Sequence, residues 1–416
     1  MIQLQSGRKS IRLLLVIAFL QGMVFYAPVA TLYRTAVGVS LGQIAWIESV
    51  SYLLMIVLEV PWGLVTAHIG YKNTLVISCV LFFLSKIVFW RAQSVSGFLA
   101  ERILLAVVLT GFSGCDSAYL YLCAGDADAQ RVFGRYDAAG TAGLLCASAV
   151  FSGFLGGHYR LAALLTVLSY GAAALLALFL HPVPLTEADA APMCAQLRTL
   201  WHSLRQTPRF LVFLLACTCF SEVCHFVTVF LSQPVYVRAG LRPAAMGVCY
   251  IAVTLAGMSG AASHRAMRVL GARRFGPLLC AGAALACTVL AWTMLACMSP
   301  VCAASACTTS ASMTCSGALQ SVLCVLCVVL LGAVSALFAP YVAICQNRQA
   351  AAGARAVLLS GYAMVGSLGA SALNAALGGM ADVSLSGVLW MCAGLCALAG
   401  LCLLWWERRG GVEPKE

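Results

Sequence analysis

Long apolar runs separated by short polar gaps organise the chain. Each run is continuous over about 20 residues rather than alternating, the pattern of bilayer-crossing helices and not of barrel strands. The runs predict spans at roughly 12–35, 42–66, 72–91, 96–122, 131–156, 161–181, 208–236, 243–264, 275–297, 320–345, 355–379 and 385–406. The longest polar segment, 182–207, opens with prolines and acidic residues and continues into a basic amphipathic piece from Gln196 to Arg209. It predicts a cytoplasmic linker between two six-helix bundles, 1–181 and 208–416. The fold class is therefore an all-α polytopic membrane protein of twelve spans.

Composition agrees. The 416 residues are 62% hydrophobic and 9% charged, whereas soluble domains carry about 25% charged residues. The basic N-terminus precedes an apolar run from Leu13 to about Tyr33, long enough to span, which reads as a retained first helix rather than a cleaved signal.

The formal charge of +11 is scattered through the gaps, so it reads as a topology signal and not a nucleic-acid surface. Of the 25 Lys and Arg residues, Arg34, Arg91, Arg160, Arg238 and Arg242 fall in gaps opposite the N-terminus, and Lys86 and Arg102 fall within spans. The rest share the side of the N-terminus, which places both termini in the cytoplasm of a cell (inner or plasma) membrane.

The 21 cysteines lie mostly inside apolar runs, where a thiol packs as a small hydrophobe. Cys324 and Cys327 have C-x-x-C spacing but sit in such a run. Cys302, Cys307 and Cys315 lie in a Ser/Thr/Ala-rich segment, 298–318, expected outside the membrane and able to form a disulfide in an oxidising space.

The halves repeat weakly. Span five opens after Arg135 and carries Gly140, Gly143, Gly156 and Gly157; span eleven opens near Arg355 and carries Gly366, Gly369, Gly378 and Gly379. Such glycines let helices approach closely in lipid, and internal repeats are common in secondary transporters.

The stretch 59–76, EVPWGLVTAHIGYKNTLV, reads as the end of span two, a tight turn permitted by Gly63 and Gly70, and the start of span three with Lys72 at the interface. It resembles the loop signature G-x-x-x-D-x-x-G-R-K of the major facilitator superfamily, with Ala67 in place of Asp and Tyr71 in place of Arg. Glu59-Val60-Pro61, Ser113 to Ala118, Phe133-Gly134-Arg135-Tyr136 and Arg355-Ala356-Val357 resemble the drug-efflux-like branch of that family. The resemblance implies two six-helix bundles, alternating access, and a cavity lined by spans one, four, seven and ten. It implies an inner gate normally held by the missing Asp; Glu59, beside Pro61, is expected to support that gate, and Lys72 is expected to compensate in part by pairing with Asp126 or Asp128. Arg102 matches the arginine of the family's proton-coupling motif, although Leu105 and Ala106 stand where Gln and Gly are expected, and span five lacks the antiporter proline.

Ionisable groups within spans are expensive and face partners or cavities. Glu48, Lys86, Glu101 and Arg102 fall at similar depth, so a paired cluster is expected. Asp116 lies on span four with Tyr119 one turn on. Glu222 lies near the middle of span seven with His225 at i+3, and Gln21, Tyr26 and Tyr341 are candidates to complete a substrate and proton pathway. No nucleotide-binding loop of the G-x-x-x-x-G-K-[ST] kind occurs, and the six histidines are scattered, which argues against ATP-driven transport and against an enzyme. The expectation is a monomeric, proton-coupled secondary carrier of a small molecule, efflux or alternatively uptake, with no cofactor or metal, whose partners are the substrate, protons and the bilayer and not nucleic acid. A non-transporting receptor or scaffold is the alternative from another class.

Overall fold

Helix is the only regular structure among the described residues, and twelve helical stretches are long and apolar enough to cross a membrane. The computed structural model describes residues 2–125, 128–183, 205, 207–296, 315–350 and 355–409. The expected linker at 182–207 and the segment with Cys302 and Cys307 fall almost wholly outside them. The chain divides into two compact units: Met1–Val39 with Val50–Ala191, and Ser40–Ser49 with Pro192–Glu416.

In the first unit, span one is not the continuous helix expected from 12–35. Its main helix, Ile2–Gly22, stops short, and the chain resumes as a 3₁₀ turn, Ala27–Val29, and a short helix, Ala30–Thr35. Pro28, in the 3₁₀ turn, lacks an amide donor and disfavours a continuous helix. In lipid the freed backbone groups need partners. Span six, Tyr159–Ala177, supplies them: Ser169 and Tyr170 donate to the Leu20 and Gln21 carbonyls, both at 2.6 Å, and Thr166 Oγ1 accepts from the Phe25 amide at 3.0 Å.

Spans two and three lie within Leu41–Arg91, two helices joined at Gly70, whose φ of 83° is left-handed. The hydroxyls of Thr66 and Thr74 meet at 3.3 Å. Eight residues of straight helix would separate them by about 12 Å, so the chain turns between them. The turn belongs to Gly70 alone; Gly63, expected to share it, is an ordinary helical residue with no positive φ.

Span four is broken too. One helix ends at Phe112, Gly114 adopts φ 77°, and a second helix runs Cys115–Ala124. The glycines of span five do allow close approach: a Cβ on Gly143 would strike the Phe19 carbonyl, and one on Gly22 would strike the Gly140 carbonyl.

The second unit contains spans seven to twelve and the start of span two. Span seven, Pro208–Arg238, has the most buried window of the twelve, at 61%. It runs as an α-helix to His225, a π-helical segment Phe226–Leu231, and a further α-helix Ser232–Arg238. Gly369 of span eleven packs on Thr218 of span seven, so the glycine repeat joins spans five to one and eleven to seven in matching fashion. Buried thiols meet inside the unit, where Cys224 and Cys287 both approach Cys396. Asp382 accepts from the Ser40 hydroxyl and the Gly42 amide, both at 2.8 Å, which caps the helix beginning at Leu41.

Candidate functional site

The first unit holds a buried charged cluster beside the break in span one. Glu101, 1% exposed, lies 3.8 Å from Lys86 Nζ and 3.9 Å from Arg34. Lys86 also donates to the Tyr26 hydroxyl at 3.2 Å, and its ammonium faces the rings of Tyr26, Phe82 and Tyr170. Arg34 lies over Phe89 and Phe98. Aromatic faces attract cations where water is absent, so the rings supplement a single carboxylate facing two positive charges. The expected pairing of Lys86 with Glu101 is present. Arg34, assigned from its position to an outer gap, completes it, because the short helix Ala30–Thr35 carries it back into the unit. Arg102 follows Glu101 on the same helix, within electrostatic reach of Tyr26. Gln21, at the last turn before the break, donates to Cys79 at 3.4 Å. Glu48 belongs to the second unit.

Asp116 opens the second half of span four. Its carboxylate accepts from the Ser117 amide at 2.6 Å, from the Ser117 hydroxyl at 3.1 Å and from Tyr136. An acid in the first turn suits the positive end of a helix dipole. Tyr119 is fully buried, and its hydroxyl donates to the His181 carbonyl at 2.6 Å and bonds Ser10. That ring belongs to the packed core, together with Leu14, Leu75 and Val108.

In the second unit, Glu222 is 6% exposed and its Oε1 accepts from Asn374 Nδ2 at 2.6 Å. Asn374, on span eleven, is fully buried, and its Oδ1 has no hydrogen-bond partner. The sequence reading missed it. A lone amide on an otherwise small-residue helix face, Ser371 and Asn374 within Gly366–Gly378, was the available signal. His225 is half-buried, stands edge-on to Phe230, and ends the α-helical part of span seven. Tyr341 does not complete the Glu222 site: its hydroxyl donates to Glu407 at 2.8 Å, amid Phe213, Phe275 and Phe338. Glu407, 4% exposed, reads in sequence as a terminal charge and was also missed.

Residues 13–322 match the model of the Major Facilitator Superfamily. The chain belongs to the major facilitator superfamily. It is thus a secondary transporter of a small molecule and not an enzyme. A search of curated proteins finds no match. Among solved structures, it is similar to the nucleoside transporter NupG, at 12% identity and a TM-score of 0.76, with 95% of this chain and 98% of that one covered. It is similar to a POT family transporter in complex with 5-aminolevulinic acid, at 11% identity and TM-score 0.71, with 96% of each covered. A bacterial homolog of the human lysosomal transporter Spinster gives 13% identity and TM-score 0.69, with 99% of each covered. At these identities the likeness is one of fold.

The loop expected to act as a gate lies at the Gly70 turn. Glu59 is exposed and Lys72 half-buried. The pairing expected of Lys72 with Asp128 is absent among the described residues. Asp126 lies outside the described residues.

Proposed function

We propose that this transporter couples its cargo to protons and that Glu222 is the carboxyl that takes up and releases them. The observation that supports this is the Glu222–Asn374 pair. A buried carboxyl in lipid is far cheaper neutral than charged, and an amide can serve it in either form. The Nδ2 group donates to Oε1, a bond that the ionised acid accepts. The unused Oδ1 accepts from the protonated acid after the amide turns over. A π-helical segment begins four residues beyond Glu222, and such segments inside α-helices frequently mark functional sites. Arg102, Tyr26, Gln21 and Asp116 line the corresponding path in the first unit under this reading, and His225 assists Glu222.

The likeness of Glu59-Val60-Pro61 to drug-efflux carriers favours export in exchange for protons. A second reading, uptake of a nutrient or metabolite, is favoured by the fold shared with nucleoside and POT transporters. Thermal-shift screening of metabolite and drug libraries supplies the probe compound, and proteoliposomes with an imposed pH gradient read coupling and direction together. Glu222→Gln keeps the shape and removes the titration. It should bind the probe, exchange it across the membrane, and lose gradient-driven accumulation. Wild-type accumulation by the Gln variant would refute the assignment.

A further inference from the structure

A cavity of about 430 Å³ opens in the first unit where the N-terminal ends of spans one and five meet the C-terminal end of span four. Span one contributes Arg8, Ile11, Arg12 and Leu15. Their spacing, i, i+3, i+4 and i+7, is one helix face. Span five contributes Asp128, Arg131, Val132 and Arg135 at the same spacing, and Cys123 and Ala124 close the end. Two faces built alike therefore look into one space, each bringing two arginines.

The arrangement is held by tight packing. A Cβ on Gly7 would come within 2.9 Å of the Cys123 carbonyl, so span one is seated directly on the end of span four. Gly125, with φ 72°, ends that helix and allows the turn into span five.

Charge does not balance among the described residues that line this space. Four guanidiniums face one carboxylate, Asp128, and none of the four is ion-paired among the described residues. Arg8 with Arg12, and Arg131 with Arg135, are like charges at i, i+4, which destabilises a helix. Arginines that only fix topology could point to any side of their helices. These converge, and the N-terminus of the 22-residue helix Ala129–Val150 adds positive dipole at the same place.

We propose that this cavity binds an anionic phosphate group, carried by an anionic phospholipid headgroup or by a soluble phosphate ester. Guanidiniums bind phosphate oxygens in pairs of parallel hydrogen bonds, and two i, i+4 arginine pairs on facing helices offer such forks from two directions. Basic pockets between transmembrane helices are a recurrent seat for such headgroups. The volume lies within the range of small-molecule sites, about 300–1,000 Å³. The apolar side chains of Ile11, Leu15 and Val132 would meet the glycerol and first methylenes of a lipid rather than more charge.

The test uses the purified full-length protein in nonionic detergent. Binding of phosphatidylglycerol, phosphatidylcholine and free glycerol 3-phosphate is measured by native mass spectrometry and by the shift in unfolding temperature. The variants are Arg8→Gln/Arg12→Gln, Arg131→Gln/Arg135→Gln and, as a control for general basicity, Arg265→Gln/Arg268→Gln in the second unit. Phosphatidylglycerol should bind in preference to phosphatidylcholine. Either cavity pair should weaken it about thirtyfold, the effect expected of two basic groups at an anionic interface, while the control pair leaves it unchanged. Glycerol 3-phosphate binding with the same sensitivity would assign the site to a soluble ester; binding of the lipid alone would assign it to the headgroup. Equal binding of both lipids with no response to glycerol 3-phosphate, or losses in the control pair as large as in the cavity pairs, would overturn the proposal.

Discussion

Glu101→Gln tests whether the carboxylate holds the first unit's buried cations in place. Glu101 lies 3.8 Å from Lys86 and 3.9 Å from Arg34. At an effective dielectric of about 20, each attraction is worth roughly 4 kcal/mol before desolvation is subtracted. Removing one partner of a buried pair leaves an uncompensated charge and typically costs about 3–5 kcal/mol. Arg34 retains 12% side-chain exposure against 6% for Lys86, so Arg34 relaxes more readily and Lys86 carries most of the loss. The measurement is equilibrium unfolding of purified protein in mixed micelles, read by tryptophan fluorescence. Glu101→Gln should lose about 3 kcal/mol or more. Adding Lys86→Met removes the stranded ammonium and should recover a good part of that loss, since an apolar side chain then faces Phe82 and Tyr170. If Glu101→Gln unfolds within about 1 kcal/mol of wild type, the size of an exposed pair, or if Lys86→Met restores nothing, the cluster is solvated and the reasoning fails.

Gly143→Ala should lower stability by about 1–3 kcal/mol in the same assay, because its Cβ meets the Phe19 backbone, which cannot rotate away; Gly134→Ala, with nothing within 4 Å, should be neutral or better. Tyr119→Phe should cost about 1–2 kcal/mol by stranding the His181 carbonyl, with transport of the probe compound unaltered; a selective loss of transport would return Tyr119 to the pathway.

The spans were legible because lipid imposes a length and a polarity that few sequences meet by accident. The close-packing role of Gly140 and Gly143 was legible as well, though the surface they meet was not: a pattern on one helix does not name its partner. Breaks inside spans were harder to read. Gly22, Pro28 and Gly114 were visible, but glycine and proline also occur in continuous membrane helices, and what decides is whether neighbours can take the freed backbone groups. Thr166, Ser169 and Tyr170 do so from more than 140 positions away. Separation in sequence likewise hid Asn374 from Glu222, 152 positions away, and Glu407 from Tyr341, 66 away. Lys86 and Glu101 were found because depth alone brings their spans into register, whereas Arg34 was lost because a short helix after a break changes where a residue ends up.

Irregular backbone and polar side chains coincide along this chain for one physical reason. Tyr26 follows the break in span one, Asp116 begins the helix after Gly114, and the Glu222 carbonyl accepts from Phe226 as the π segment starts. Span eight shows the same device without an acid: Ser259 within its 3₁₀ turn, Met258–Ala262, and Ser263 just after it donate to the Ala333 and Leu337 carbonyls of span ten. Irregular backbone in a membrane is tolerated only where protein or water covers it, so each break must already lie away from bare lipid. A titratable side chain has the same requirement, and one location meets both. A carboxyl placed on a lipid-facing turn would need a second set of partners built for it alone. Beside a break it can share those already gathered, as Asp116 shares the donors at a helix start and Glu222 shares the span-eleven face on which Gly369 and Asn374 meet span seven.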